Sequence, residues 1–336
     1  MKKTYVIAEA GVNHNGSLEL ALKLVDEAKK ANADCVKFQT FKASNLVTLN
    51  APKAEYQLKV TDNDESQFEM LSKLELKTSD YKLLIKHAQK VGIDFMSTPY
   101  NKEDVDYLID LGVKSFKIAS GQLTELPFLK YVANFGLPIY LSTGMSYFSE
   151  VLQAIECIKS VNLNLPLTIL QCTTNYPSLI EDANINVIKT FKSIPNISVG
   201  YSDHVQNNFA CYAAVANGAE VIEKHFTIDK EMEGPDHSSS LDPEGFFELI
   251  NGIREIEKSM GSYIKEPSTT EKLNIFGMKR SLVYSKSISK GEILKEHHFA
   301  YKRPFNGLSP SLEIQFIGKK LKTNVELDDL VSFEHI

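Results

Sequence analysis

Two histidines in the middle of the chain, His204 and His225, are the residues whose type and spacing point most directly to chemistry. Each follows a short apolar run typical of a strand, at residues 197–201 and 221–222. The ends of neighbouring parallel strands lie side by side, so two imidazoles placed there can meet at one point. Because neutral imidazole is a good ligand for divalent cations, the pair predicts a metal site. The alternative is two unrelated histidines, each hydrogen-bonded to nearby polar groups.

Two lysines and three acids could act beside such a site. Lys37 and Lys117 lie within apolar, strand-like runs, so each should point into a pocket or pair with an acid. Surrounded by hydroxyl groups, two ammonium groups would bind a small phosphorylated carboxylate. The alternative is a structural ion pair of Lys37 with Glu9, or of Lys117 with Glu223. Glu9, Glu223 and Asp236 are the candidates for proton transfer, and the sequence does not choose between them.

The elements that must position these residues follow one repeated pattern up to about residue 260. Strands are predicted at residues 5–10, 35–41, 93–98, 113–120, 138–143, 167–173, 197–202 and 221–226. Amphipathic helices are predicted at residues 18–31, 80–91, 103–111, 126–135, 149–161, 185–191, 207–217 and 243–260. Eight strands that alternate with helices are typical of an α/β protein with a closed (β/α)8 TIM barrel. An open, doubly wound sheet is the alternative, but the glycine-rich dinucleotide motif is missing.

The predicted strands share a second feature, because each is apolar until its carboxyl end and then becomes polar. The polar residues at these ends are Glu9, Lys37, Gln39, Ser97, Thr98, Lys117, Ser120, Ser142, Thr143, Thr173, Thr174, Ser202, His204, Glu223 and His225. In a barrel these ends converge on one rim, where the active sites of TIM-barrel enzymes lie. The pattern therefore predicts a polar pocket. The irregular segment at residues 42–77 is far longer than the usual loop of about 2–6 residues, so we expect it to cover or line that pocket.

Composition excludes several classes of protein. The chain has 336 residues and a net charge of −6, and its basic residues are dispersed, which argues against binding to nucleic acid or to a membrane. The apolar run at the amino terminus is interrupted by Glu9 and is too short for a signal peptide. The four cysteines have no CxxC spacing. We therefore expect a cytoplasmic protein.

The carboxyl-terminal region does not continue the alternation of strands and helices. Residues 261–279 are polar and are predicted to form a linker. Residues 280–336 contain short β-like runs at 281–284, 299–302 and 331–333. So short a region is small for a stable independent core, so we expect it to dock against a partner surface. A solubilising appendage is the alternative.

Nine motifs in the first 237 residues resemble those of the bacterial sialic-acid synthase family. They are IAEAGVNHNG (7–16), VKFQTFKA (36–43), STPY (97–100), FKIASG (116–121), LSTGM (141–145), CTTNYP (172–177), GYSDH (200–204), VIEKHFT (221–227) and GPDH (234–237). After the linker, KRSLV (279–283) and KRPFNGLSP (302–310) resemble the family's small antifreeze-like, or SAF, domain. The resemblance covers essentially the whole chain. It implies a TIM-barrel synthase domain at residues 1–260, a linker at 261–279 and a β-rich SAF domain at 280–336.

The resemblance implies that the chain condenses phosphoenolpyruvate with an open-chain aminosugar. The acceptor expected first is N-acetylmannosamine, which makes the chain an N-acetylneuraminate synthase. The alternative acceptor is 2,4-diacetamido-2,4,6-trideoxymannose, the substrate of a legionaminate synthase. The implied reaction depends on a divalent metal, Mn²⁺ first and otherwise Mg²⁺ or Co²⁺, and it releases phosphate by C–O cleavage. A domain-swapped homodimer is implied as well.

The same resemblance implies roles for individual residues. His204 and His225 match the metal ligands. The positions that bind phosphoenolpyruvate are matched by Lys37, Thr98, Lys117, Ser120, Ser142, Thr174 and Ser202. The positions that face the sugar or water are matched by Glu9, Gln39, Gln122, Tyr176 and Asp236. Arg280 matches an arginine that the small domain of one subunit places over the barrel of the other. The residues expected to act in catalysis are Glu9, Lys37, Lys117 and Glu223.

Three departures from the family pattern bear on the substrate. Gln122 stands where many members have glutamate, which removes a negative charge beside the sugar. Thr174 stands where some members have asparagine, and Ser238 and Ser239 replace the usual Lys-Ala after the GPDH motif. The sequence therefore leaves the choice of aminosugar open.

Two other functions are kept beside the metal-dependent synthase. One is a Schiff-base aldolase or lyase on the same barrel, with Lys117 as the amine nucleophile. The other is a non-catalytic protein that binds saccharides through its carboxyl-terminal region.

Overall fold

The computed structural model describes residues 3–58, 61 and 64–336 of the chain. The chain divides into two compact units, Met1–Gly261 and Ser262–Ile336. Among the described residues, no helix is both long and apolar enough to cross a membrane.

The larger unit contains eight parallel strands that close into a barrel in chain order. They are β1 (Tyr5–Gly11), β2 (Cys35–Thr40), β3 (Asp94–Pro99), β4 (Phe116–Ile118), β5 (Ile139–Ser142), β6 (Leu167–Cys172), β7 (Ser198–Asp203) and β8 (Val221–His225). The last strand pairs with the first, and Val6 lies opposite Ile222. This closure confirms the predicted TIM barrel and excludes the open sheet. Strand β4 is shorter than predicted because the chain turns into a 3₁₀ helix at Ser120–Gln122.

Each barrel strand has two buried faces, because successive side chains point to opposite sides of the sheet. On one side, Val6 and Val36 pack into the large core between the strands and the helices. On the other side, Ile7, Met96 and Leu170 fill the interior of the barrel. These interior side chains form the floor on which the polar strand ends rest.

The helices of this unit surround the strands. They are α1 (Leu18–Lys30), α2 (Ala43–Leu46), α3 (Glu55–Leu58), α4 (Gln67–Lys73), α5 (Thr78–Val91), α6 (Lys102–Asp110), α7 (Leu126–Ala133), α8 (Phe148–Val161), α9 (Val187–Lys192), α10 (Phe209–Ala216) and α11 (Pro243–Ser259). Helix α1 shows why they form where they do. Ser17 caps it by accepting from the amide of Leu20, and Ala21, Leu24 and Ala28 lie on its buried face.

The long segment after β2 contains the three short helices α2, α3 and α4, where an irregular loop was expected. Its residues 59–60 and 62–63 lie outside the described part of the chain. A capping box between Ser66 and Glu69 begins α4. In α3, the ring of Tyr56 lies 4.7 Å from the ring of Tyr176, measured between centroids.

The smaller unit consists of helix α12 (Thr269–Met278) and an antiparallel pair of strands, β9 (Ser281–Tyr284) and β10 (Phe299–Lys302). Its hydrophobic cluster includes Leu282, Tyr284 and Phe316.

Two features of this unit differ from the sequence expectation. The strand expected at residues 331–333 is not formed, because Leu330 makes only an isolated bridge to Val283 and Phe333–His335 is a 3₁₀ helix. The segment predicted as a linker contains α12, which a capping box between Ser268 and Glu271 begins.

Candidate active site

The carboxyl ends of the barrel strands surround a polar cavity of about 120 Å³. All the site residues proposed from the sequence line it, except Gln122, Asp236 and Arg280. The lining residues among them are Glu9, Lys37, Gln39, Thr98, Lys117, Ser120, Ser142, Thr174, Tyr176, Ser202, His204, Glu223 and His225. Each of the eight strands contributes at least one lining residue. Side chains far apart in the sequence therefore meet because the barrel closes.

Two lysines and two glutamates form a buried charge network in this cavity. Nζ of Lys37 lies 2.8 Å from Oε2 of Glu9 and 3.6 Å from Oε1 of Glu223. Nζ of Lys117 lies 3.4 Å from the same oxygen of Glu223. The pocket and the ion pairs, which the sequence offered as alternatives, are thus both present. Two cations and two anions share one wall of the cavity.

Burial and mutual attraction set the protonation of this network. Burial raises the pKa of Glu9, against the opposing effect of Lys37. Burial also lowers the pKa of Lys117. For Glu223, burial favours a higher value, but the attraction of Lys117 and Lys37 outweighs it and lowers the pKa. Glu9 is therefore the carboxyl group that takes up a proton more readily.

The two predicted histidine ligands converge at the rim. Nδ1 of His204 lies 2.6 Å from the carbonyl oxygen of Thr173. Because a carbonyl oxygen only accepts, Nδ1 carries the proton and Nε2 keeps its lone pair for a metal. The ring centroids of His204 and His225 are 5.4 Å apart. Burial lowers the pKa of His225 well below its usual value, which keeps this imidazole neutral.

The residues present fit a metal that is held by two imidazoles. Nδ1 of His225 is buried and has no hydrogen-bond partner within the described ranges. It lies 3.9 Å from Oδ2 of Asp236, beyond hydrogen-bond distance. Across the described part of the chain, no group of three or more His, Cys, Asp or Glu side chains is arranged to hold a metal. A cation here would take its remaining ligands from water and substrate oxygens.

Two hydroxyl groups at the carboxyl ends of β5 and β6 also lack partners among the described residues. Ser142 Oγ and Thr174 Oγ1 are buried, and neither is hydrogen-bonded to any residue that the structure describes. Ser120 Oγ accepts from the amide of Gly144 at 2.9 Å. A side chain at Gly144 would meet Thr174 Oγ1 at 2.1 Å, so glycine is needed for this close approach. A buried hydroxyl without a partner costs about 1–3 kcal/mol, which points to a polar ligand.

Three proposed site residues do not line the cavity. Gln122 is buried and faces the backbone: its Nε2 donates to Tyr100 O at 3.3 Å, and its Oε1 accepts from Ala119 N at 3.4 Å. Asp236 is buried next to His225, and burial raises its pKa to about 6. Arg280 belongs to the smaller unit, where it is exposed and its guanidinium lies 5.8 Å from the ring centroid of Tyr301.

Two aromatic residues near the cavity were not proposed from the sequence. Tyr100 lines the cavity, and its hydroxyl donates to Oε1 of Gln39 at 3.0 Å. It directly follows β3, so the same rule of polar strand ends could have found it. Tyr56 stacks on Tyr176, whose ring centroid lies 4.0 Å from that of His204. No sequence signal marks Tyr56, because it comes from the long segment between β2 and α5.

Comparisons with known proteins identify relatives of this chain. The chain matches the model of the NeuB family over residues 24–265. It is 48% identical over 332 residues to an N,N'-diacetyllegionaminic acid synthase of Campylobacter jejuni, a match that covers 98% of this chain and 99% of the relative. It is 42% identical to an N,N'-diacetyllegionaminic acid synthase of Legionella pneumophila, over 99% of this chain and 94% of the relative.

A solved structure extends the likeness to three dimensions. The crystal structure of an N-acetylneuraminic acid (sialic acid) synthetase from Leptospira borgpetersenii, in complex with citrate, matches with a TM-score of 0.72 at 33% identity. The match covers 82% of this chain and 90% of that chain.

The fold is a (β/α)8 barrel whose mouth holds two lysines, two glutamates and several hydroxyl groups, and the chain belongs to the NeuB family of sialic acid synthases. It is a phosphoenolpyruvate-dependent transferase that forms a carbon–carbon bond. Membership therefore favours the synthase over the Schiff-base lyase and over the non-catalytic saccharide-binding protein.

Proposed function

We propose that the chain condenses phosphoenolpyruvate with open-chain 2,4-diacetamido-2,4,6-trideoxymannose, as an N,N'-diacetyllegionaminic acid synthase. The observation that carries the proposal is similarity over nearly the whole chain to two relatives of that name. N-acetylmannosamine, the acceptor expected first from the sequence, has less support. It is kept as the second candidate because a solved relative is an N-acetylneuraminic acid synthetase.

Gln122 bears on the choice of sugar only indirectly, because it does not line the cavity. Its amide donates to Tyr100 O and accepts from Ala119 N, and both of these residues line the cavity. A glutamate carboxylate could accept from Ala119 N but could not donate to Tyr100 O, so a neutral side chain suits this position. We propose that Gln122 influences the acceptor through the positions of Tyr100 and Ala119.

The charge network supports binding of phosphoenolpyruvate. Lys37 and Lys117 would neutralise the phosphate and carboxylate groups, and the unpartnered hydroxyls of Ser142 and Thr174 would complete their hydrogen bonds on the ligand. Thr98 already orients Lys37, whose Nζ donates to Thr98 Oγ1 at 3.2 Å. The lysines act as point charges, and the hydroxyls fix the orientation.

His204 and His225 would hold a divalent metal, Mn²⁺ or else Mg²⁺ or Co²⁺. When bound, such an ion supplies a Lewis acid for the aldehyde oxygen of the open-chain sugar. In the proposed reaction, C3 of phosphoenolpyruvate attacks the aldehyde carbon, and the aldehyde oxygen takes up a proton. Water adds at C2 and gives up a proton, for which Glu9, held by Lys37 and by Gln39 Nε2 at 3.2 Å, is the proposed acceptor. The bond between C2 and the bridging oxygen then breaks, and phosphate leaves.

The smaller unit is proposed to be an antifreeze-like SAF domain that works on the barrel of a second subunit. The motifs KRSLV and KRPFNGLSP support this assignment. Helix α12 has no buried residue, and Leu273 and Phe276 are exposed on it, so its apolar side chains are available to a partner. In a swapped homodimer, Arg280 of one chain would contact the sugar that is bound by the other.

A mixed-dimer experiment tests this arrangement. Arg280→Ala is expected to raise KM for the sugar much more than KM for phosphoenolpyruvate. At a sugar concentration far below the KM of Arg280→Ala, mixing Arg280→Ala and Lys117→Ala chains should restore part of the activity, because one of the two barrels then has both residues intact. No restoration after subunit exchange would contradict the swapped dimer.

The acceptor is tested by phosphate release with each of the two sugars at saturating phosphoenolpyruvate and Mn²⁺. We expect kcat/KM to be at least about tenfold higher with the diacetamido sugar. Equal values, or a preference for N-acetylmannosamine, would instead support the second candidate. With ¹⁸O in the bridging position of phosphoenolpyruvate, the label should appear in the released phosphate, and label retained in the sugar product would contradict C–O cleavage.

A further inference from the structure

A second buried ion pair, Asp203–Lys224, lies directly behind the two histidines and belongs to none of the roles described above. The two residues are register partners on β7 and β8. Their exposed side-chain fractions are 0% for Asp203 and 1% for Lys224. Cys211 of α10 donates from Sγ to Asp203 Oδ2 at 3.1 Å, so the pair faces the helices and not the cavity.

The pair is hydrogen-bonded at every position that it offers. Lys224 Nζ donates to Asp203 Oδ2 at 2.5 Å, to Val205 O at 2.5 Å and to Asn207 O at 3.0 Å. Asp203 Oδ1 accepts from the hydroxyl of Tyr201 at 2.8 Å and from the amide of Val205 at 2.9 Å. One ammonium group therefore binds three points on the chain that leaves β7.

The proposed metal ligands lie inside this arrangement. His204 stands between Asp203 and Val205, both of which contact the ammonium group, and His225 is the next residue after Lys224. Because side chains alternate along a strand, Asp203 and Lys224 point outward where His204 and His225 point into the cavity. The outer pair thus restrains the backbone of both histidines at once.

We infer that Asp203 and Lys224 are positioning residues, which hold the two imidazoles at the separation that a divalent cation requires. This inference rests on the metal site of the proposed function. Removing one partner of a buried ion pair is strongly destabilising, whereas replacing both partners with neutral groups of similar size is often tolerated. A contribution to stability therefore does not explain why the chain has this ion pair. Control of the positions of the two imidazoles does explain it. Supporting groups behind metal ligands typically change metal affinity by about 10–100-fold.

The test compares Mn²⁺ affinity with thermal stability in the full-length chain. Free Mn²⁺ is followed by electron paramagnetic resonance during titration of the wild type, Asp203→Asn and the double variant Asp203→Asn/Lys224→Met. The double variant is expected to keep a melting temperature close to that of the wild type, while its Kd for Mn²⁺ rises about 10–100-fold. Asp203→Asn leaves the buried Lys224 without its carboxylate, so this single variant should be less stable than the double variant, and its Kd for Mn²⁺ should rise as well.

The ion pair of Arg254 and Asp34 provides a control that is remote from the cavity and less buried. It joins α11 to the residue that precedes β2, with a distance of 3.1 Å, at the end of the strands opposite the cavity. Arg254 also donates to Thr4 O and pairs with Glu257, so Arg254→Met/Asp34→Asn should lower stability, and it should leave the Kd for Mn²⁺ unchanged.

Three results would overturn the inference. If both variants of the Asp203–Lys224 pair bound Mn²⁺ as tightly as the wild type, this inference would fail and the proposed metal site would stand. The same would follow if the control pair weakened Mn²⁺ binding as strongly. If the wild type showed no saturable Mn²⁺ binding that His225→Ala removes, both this inference and the proposed metal site would fail.

Discussion

Strands β7 and β8 carry polar side chains on both faces, and the two faces differ in how completely these side chains are hydrogen-bonded. On the outer face, Asp203 and Lys224 are fully buried and fully hydrogen-bonded. On the inner face, the buried Nδ1 of His225 has no partner among the residues that the structure describes. Buried polar groups in folded proteins are nearly always paired, so an unpaired one indicates a place for a ligand. A completed network supports the fold, and an incomplete one supports binding.

The same contrast separates the two buried lysine systems. Lys224 makes three hydrogen bonds within its own network. Lys37 and Lys117 share Glu223 at 3.6 and 3.4 Å, distances that leave room for a stronger anion to compete. Lys117 is therefore the cavity lysine best placed to pair with a substrate, whereas Lys37 is also held by Glu9 at 2.8 Å and Lys224 by its three hydrogen bonds.

The largest expected effect comes from the inner face. His225→Ala should lower metal-dependent turnover by about 10³-fold, because a Lewis acid supplies several kcal/mol of transition-state stabilisation. The melting temperature should change little, since the lost Nδ1 has no hydrogen bond to give up. Turnover with and without added Mn²⁺ measures the first quantity, and thermal unfolding measures the second. Unchanged activity would count against the two-histidine site.

On the outer face, removing one partner alone is expected to lower stability, in addition to the effect on metal affinity inferred above. Lys224→Met leaves the Asp203 carboxylate buried without its cation, which should lower the free energy of unfolding by about 3–5 kcal/mol. Urea unfolding of the single variant and of Asp203→Asn/Lys224→Met measures this loss and its recovery. A single variant as stable as the wild type would remove the distinction between the two faces.

Asp236 does not line the cavity, but it is buried beside His225 and provides a pH test of this region. Burial raises its pKa from 3.8 to about 6, so the folded chain binds the proton more tightly than the unfolded chain. The stabilisation from this group is complete below about pH 4 and is lost as the pH rises through 6, at up to about 1.4 kcal/mol per pH unit. Wild type and Asp236→Asn should therefore differ in the slope of stability against pH between 4 and 6. Equal slopes for the two proteins would show that burial does not raise the pKa of the Asp236 carboxyl group.

Gln122→Glu should have the smallest effect of these variants, and it tests whether this position influences the choice of acceptor sugar. The new carboxylate faces Tyr100 O without a proton to donate, which should lower stability by about 1–3 kcal/mol. The ratio of kcat/KM for the diacetamido sugar to that for N-acetylmannosamine should fall about tenfold. An unchanged ratio would mean that Gln122 does not select the acceptor.

Much of the site could be predicted because strand periodicity carries geometric information. A residue at the polar end of a barrel strand must lie at the rim, which is why Lys37, Lys117, His204 and His225 were placed correctly before any coordinates. Gln122 was proposed from the family resemblance and not from strand alternation; it lies in a 3₁₀ turn after β4 and does not line the cavity. Strand alternation also could not find Tyr56, whose position depends on how a long segment folds back over the barrel.

Local patterns in the amino-acid sequence were enough to predict the barrel and the ring of polar side chains at its mouth, because alternation and strand order follow from them. The motifs also indicated the family. The pairing of these polar groups depends on tertiary contacts: Glu223 lies between two lysines, Nδ1 of His225 has no partner among the described residues, and Lys224 binds the chain on both sides of His204. Hydrogen bonds depend on distances of a few tenths of an ångström between segments remote in sequence, and no local pattern encodes those distances.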